Sequence, residues 1–86
     1  MELKKKMIRR TIGGETFLVP LGKAVYDANG LYFLTEVGAF IWELLPQVET
    51  QEQILDAVLA EYEVSEDTAR ADIREFMGKL EEMGIV

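Results

Sequence analysis

The sequence predicts an α+β domain: a three-stranded antiparallel sheet followed by three helices. Two observations predict it. Between Met7 and Leu34, short apolar runs are separated by turn formers such as Gly13-Gly14 and Asn29-Gly30, the mark of strands. Between Thr35 and Met83, apolar residues recur every three or four positions, the mark of amphipathic helices. No repeat, low-complexity tract or linker divides the chain. The two halves are therefore expected to share one core as a single domain over residues 1–86.

The first strand is expected over Met7 to Ile12. Gly13-Gly14 follows, a dipeptide free to take positive φ and suited to a tight hairpin turn. The second strand runs from Thr16 to Val19 and stops at Pro20, which has no N–H to donate to a ladder. Leu21 to Gly30 reads as a looser segment, with Ala24-Val25-Tyr26 as a short extended piece and Asp27, Asn29 and Gly30 as turn formers. The third strand is Leu31-Tyr32-Phe33-Leu34.

Thr35 is placed to cap the first helix, with Glu36 favourable to its dipole. Val37, Phe40, Ile41, Leu44 and Leu45 form its apolar face, and Pro46 ends it. Thr50 with Gln53 is a capping-box pattern opening the second helix. Its stripe is Ile54, Leu55, Val58, Leu59 and Tyr62. Ser65 caps the third helix, whose buried stripe is Ala69, Ile73, Phe76, Leu80 and Met83, and Gly84 is its stop. Gly38 and Gly78 lie inside helices, where glycine costs stability relative to alanine, so close packing is expected at both. The second and third helices, joined by a short turn, resemble a helix-turn-helix. A small sheet beside them makes the domain winged-helix-like.

Composition narrows the function. The chain contains no cysteine and no histidine. Disulfides, thiolate nucleophiles, zinc and iron–sulfur sites and imidazole acid–base chemistry are excluded together. No glycine-rich phosphate loop is present, so the plentiful carboxylates read as a solvated surface, and neither an enzyme nor a cofactor is expected. No apolar run approaches the roughly 20 residues that cross a bilayer. The basic start lacks the apolar stretch of a signal peptide, and with the absence of cysteine this fits a cytoplasmic protein.

Charge is unevenly placed. Residues 1–10 hold five basic side chains and one acid, and the remaining 76 residues carry a net charge of -11. An acidic body disfavours phosphate backbones and anionic membranes. Residues 1–6 are expected as a basic, frayed terminus, able at most to steer an acidic partner.

The third strand is the most informative segment. Leu31 and Phe33 face one way, and Tyr32 and Leu34 the other. Both faces are apolar, so the strand needs cover on both sides. It carries no lysine, proline or inward charge, the usual protections of a sheet edge. At an edge, it would accept another strand by β-augmentation; at the centre, it would simply be packed. On helix three, Arg70, Arg74 and Met77 share one flank beside the buried stripe. The arginines there pair either with carboxylates of a partner or with Glu66 and Asp67 of the same helix.

Three binding classes follow. A peptide-binding adaptor would use the strand edge. A winged-helix DNA-binding regulator would insert helix three, but its acids Glu66, Asp67, Asp72, Glu75, Glu81 and Glu82 outnumber Arg70, Arg74 and Lys79 and repel phosphate. An oligomerisation subunit would pair its edge with its own copy as a homodimer.

Gly30-Leu31-Tyr32-Phe33-Leu34-Thr35 running into Gly38-Ala39-Phe40-Ile41-Trp42-Glu43-Leu44-Leu45 resembles the PqqD-like family. Thr50 with Ile54 and Leu55 fits the same pattern, as does Asp72-Ile73 with Phe76, Leu80 and Gly84-Ile85-Val86. The resemblance covers Arg10 to Val86 through the order and spacing of its pieces. The family comprises the peptide chaperone of pyrroloquinoline quinone biosynthesis and related recognition elements for ribosomally synthesised, post-translationally modified peptides. The resemblance implies three strands then three helices in a winged helix-turn-helix arrangement. It also implies that the leader of a precursor peptide adds as a strand against the third strand, in a cleft walled by helix three, for a radical SAM or other maturation enzyme. On this chain the implied peptide-binding residues are Leu31, Tyr32, Phe33, Leu34, Arg70, Ile73, Arg74 and Met77. The family's common asparagine at the strand-to-helix junction is Thr35 here, which also caps helices.

Overall fold

The computed structural model describes residues 1–20 and 32–86. Leu31 and the looser segment with Ala24-Val25-Tyr26 lie outside the described residues. Three strands and three helices follow in the expected order: β1 (Met7–Ile12), β2 (Glu15–Pro20), β3 (Tyr32–Leu34), α1 (Glu36–Leu44), α2 (Gln51–Glu61) and α3 (Glu66–Glu82).

β1 and β2 form an antiparallel hairpin whose register runs from Met7 opposite Pro20 to Ile12 opposite Glu15. Gly13 and Gly14 make its two-residue turn at φ 60° and 84°. Two consecutive positive φ values are the I′ requirement that side chains resist and glycine does not. β3 pairs antiparallel with β2, placing Thr16 opposite Leu34, Phe17 opposite Phe33 and Leu18 opposite Tyr32. The sheet order is β1-β2-β3.

One sheet face meets the helices. Leu18 and Leu34 are buried there, while Phe33 on the other face is 49% exposed and packs edge-on against Phe17 at 5.8 Å. Alternation therefore splits β3 as expected, but only its inner face receives full cover among the described residues. Ile8 and Ile12 of β1 are also exposed.

The helix ends follow local chemistry. The Thr35 hydroxyl accepts from the Gly38 amide at 3.0 Å. Leu45–Gln47, around Pro46, tightens into a 3-10 turn after α1. The Thr50 hydroxyl accepts from the Gln53 amide at 3.3 Å, and the Gln53 side chain accepts from the Thr50 amide at 3.1 Å. That is a closed capping box, which removes two orphan donors at once. Ser65 caps α3 through the Thr68 amide at 3.2 Å. At its far end Gly84 takes φ 73°, the Gly84 amide donates to Glu81 O, and the Ile85 amide donates to Leu80 O. This pair of bonds is the Schellman arrangement.

The core joins Leu18 and Leu34 of the sheet to Ile41, Trp42, Leu45, Ile54, Leu55, Val58, Ile73, Phe76, Met77, Leu80 and Ile85. Two expectations change. The start of the chain is docked rather than frayed: the Lys4 amide donates to Ile85 O at 2.6 Å, the Met1 ammonium donates to the Leu45 and Val48 carbonyls, and Met1 and Leu3 pack on the core. Main-chain pairing does this, which side-chain patterning does not foretell. Gly78 has no packing reason, since a Cβ added there meets nothing within 4 Å.

Candidate functional site

Among the described residues, β3 has a strand partner on one side only, so its other edge is open. An edge strand of this kind presents unpaired N–H and C=O groups to whatever lies beside it. Beside it lies a groove of about 350 Å³, lined by Tyr32 to Thr35, by Val37, Gly38 and Ile41 of α1, and by Asp72, Glu75 and Phe76 of α3.

The groove is built by a few long-range contacts. The Tyr32 ring stacks on Phe76, with centroids 6.3 Å apart and planes 18° from parallel. Partial burial pushes the Tyr32 hydroxyl above its ordinary pKa; the Lys79 ammonium draws it back, and the Glu75 carboxylate raises it further. Tyr32 and Glu75 both line the groove. Gly38 forms part of the floor. A Cβ there would stand 3.2 Å from Thr35 Oγ1, 3.6 Å from the Phe76 ring and 3.7 Å from Leu34 Cδ2. Close approach between α1, β3 and α3 is thus the reason for this glycine, as expected from packing.

The structure brings together only part of the residue set expected from sequence. Tyr32, Phe33 and Leu34 line the groove. Leu31 lies outside the described residues. Arg70, Ile73, Arg74 and Met77 do not reach the groove. Ile73 and Met77 are each 2% exposed, within the core. Arg70 and Arg74 look the other way, across a small depression against Gln51, Glu52 and Leu55 of α2. The rotation of α3 explains this division. With 100° per residue, the Phe76–Tyr32 stack directs Asp72 and Glu75 to the sheet side and Arg70 and Arg74 to the α2 side.

On the arginine flank, Arg70 is already engaged. Arg70 donates to Glu52 at 2.6 Å and 3.4 Å and to Glu66 at 3.2 Å. These bonds hold the Arg70 pKa above its ordinary value and the Glu52 carboxyl below its own. The groove flank differs. Asp72 and Glu75 have no ion-pair partner among the described residues, and Lys79 lies 3.5 Å from Glu82. Sequence reasoning counted Asp72 and Glu75 among the acids of helix three, and Phe76 in its buried stripe, and assigned none of them to the peptide site. Helical spacing relates all three to one flank, but only the contact with Tyr32 shows what that flank faces.

A second, more open depression of about 540 Å³ lies under the hairpin turn, against Glu36, Phe40, Glu43 and Tyr62. The exposed Arg9–Glu43 pair at 3.2 Å crosses it. Among the described residues, no three side chains of metal-binding type cluster, and no helix is long and apolar enough to cross a membrane.

This architecture matches a known family. Residues 15–86 match the family described as Coenzyme PQQ synthesis protein D (PqqD). The chain belongs to the PqqD family. A solved structure, TbiB1 in complex with the TbiA(beta) leader peptide, is similar to this member with a TM-score of 0.71. It shares 30% sequence identity, over 99% of this chain and 93% of that one. No curated protein sequence gives a significant match. The strand-then-helix order read from sequence is thus the PqqD-like fold.

Proposed function

We propose that this PqqD-family protein is a recognition module for a ribosomally synthesised precursor peptide. The leader segment adds as a strand to the open edge of β3, and its inward side chains enter the groove against α1 and α3. One observation carries the reading: an unprotected strand edge lies directly beside an apolar-floored groove. The likeness to TbiB1, solved with a leader peptide, supports it. Backbone pairing supplies sequence-tolerant affinity, and the groove supplies selection. The module itself performs no chemistry. It holds the peptide beside a maturation enzyme, a radical SAM enzyme in this reading, and raises the effective concentration of the core segment.

Calorimetric titration with leader peptides encoded near the gene tests this. Methylating the peptide amides one at a time adds a signature, because only alternate N–H groups of a strand face its partner. Affinity should drop at every second position. Absence of binding up to roughly millimolar peptide, or a flat methylation profile, would sink the reading.

The open edge also favours self-pairing into a homodimer in the absence of peptide. Light scattering should then show a dimer that leader peptide dissociates. A dimer that persists at saturating peptide would place the contact elsewhere.

A further inference from the structure

We infer that the groove selects a basic peptide: its occupant carries a lysine or arginine that sits opposite Asp72 and Glu75. The inference rests on the peptide-binding reading above and names what that site prefers. Asp72 and Glu75 lie three residues apart on the groove flank of α3, about 4.5 Å along the helix axis. One guanidinium fork or ammonium can reach both carboxylates from a strand laid on β3.

The surroundings leave that role open. The charged groups of α3 nearest these carboxylates on the same flank are Lys79 and Glu82, which pair with each other. α1 contributes Val37, Gly38 and Ile41 to the groove, and β3 contributes Tyr32 to Leu34, with the Thr35 hydroxyl taken by its cap. None of these supplies a cation. Arg70 and Arg74, the bases that would have favoured an acidic peptide, stand on the opposite flank, and Arg70 is held by Glu52 and Glu66. Beyond the groove, the body of the protein carries a net charge of -11 over residues 11–86, which draws cationic chains toward it. The floor is apolar where the carboxylates end. The preferred peptide therefore alternates apolar residues toward the floor with one base at the α3 lip.

Display of random peptides of about twelve residues, long enough to cross the sheet edge, against the full chain tests this. Selected peptides should be enriched in lysine or arginine at one position. On addition they should shift the amide resonances of Val37 and Gly38, which locates them in the groove. The doubly neutralised Asp72→Asn, Glu75→Gln protein should bind them about tenfold more weakly, as expected for one charge-assisted contact. Added salt should narrow that gap. Arg74→Gln should bind them as the parent does. Groove-bound peptides without basic enrichment, or undiminished affinity in the neutralised protein, would overturn the inference and leave the peptide-binding reading standing. If no selected peptide shifts Val37 and Gly38, both fall together.

Discussion

Helix α3 carries its arginines on one flank and two unpaired acids on the other, and the structure uses them in opposite ways. On the α2 side, Arg70 is bound to Glu52 and Glu66. On the sheet side, Asp72 and Glu75 border the groove beside the open edge of β3 without an ion-pair partner among the described residues. Charge inside an intramolecular pair is largely spent, whereas charge beside an open edge is available to a newcomer. A helix can thus be decorated with both signs yet offer the groove only one. Which sign is offered depends on the rotation of the helix, and here the Tyr32–Phe76 stack sets it.

Removing that stack tests the comparison with the largest expected effect. Phe76 is 8% exposed and lies between the buried stripe and the groove. Phe76→Ala should cost about 3–5 kcal/mol of stability, measured by denaturant unfolding. Phe76→Leu keeps most of the apolar volume and should stay folded while losing the flat wall of the groove. If Phe76→Leu binds a groove peptide as tightly as the parent does, the aromatic wall is irrelevant to recognition, and the orientation of α3 alone carries the contrast.

Gly78 sharpens the same contrast from the solvent side of α3. Its position leads into open space, with no contact that a methyl group would disturb. Gly78→Ala should stabilise the protein by about 1 kcal/mol, raising Tm by roughly 4–8 °C for a domain of this size. Peptide affinity should stay unchanged, because neither flank moves. A gain in stability accompanied by weaker binding would show that the groove needs a yielding helix.

Much of the fold was legible because it is written locally. Caps at Thr35, Thr50 and Ser65, the Gly13-Gly14 turn and the Gly84 stop each depend on residues within a few positions of one another. The identity of the edge strand was legible to the extent that its apolar faces and lack of protective charge marked it. The wall of the groove was not. Arg70, Ile73, Arg74 and Met77 form as good a stripe as Asp72, Glu75 and Phe76 on a helical projection. The choice between them is made by Tyr32, far away in the chain. The docked start of the chain was hidden for a related reason: its Lys4–Ile85 bond is between main-chain groups, and any sequence has those.

The smallest expected effect concerns the engaged flank. Hydrogen bonding to Arg70 holds the Glu52 carboxyl below its ordinary value of 4.5. Its contribution to stability is present above that unfolded-state value and is lost as pH falls through the lower folded value. Both side chains are exposed, 42% for Arg70 and 66% for Glu52, so solvent screens most of the attraction. Glu52→Gln should therefore leave the unfolding midpoint at neutral pH nearly unchanged, and should flatten its slope only in the acid limb. It also releases one of the two partners of Arg70. If the arginine flank takes no part in recognition, groove-bound peptide should bind Glu52→Gln and the parent equally. A stronger preference for acidic peptides in Glu52→Gln would mean that Arg70 can be recruited once freed. The two flanks would then differ in occupancy rather than in kind.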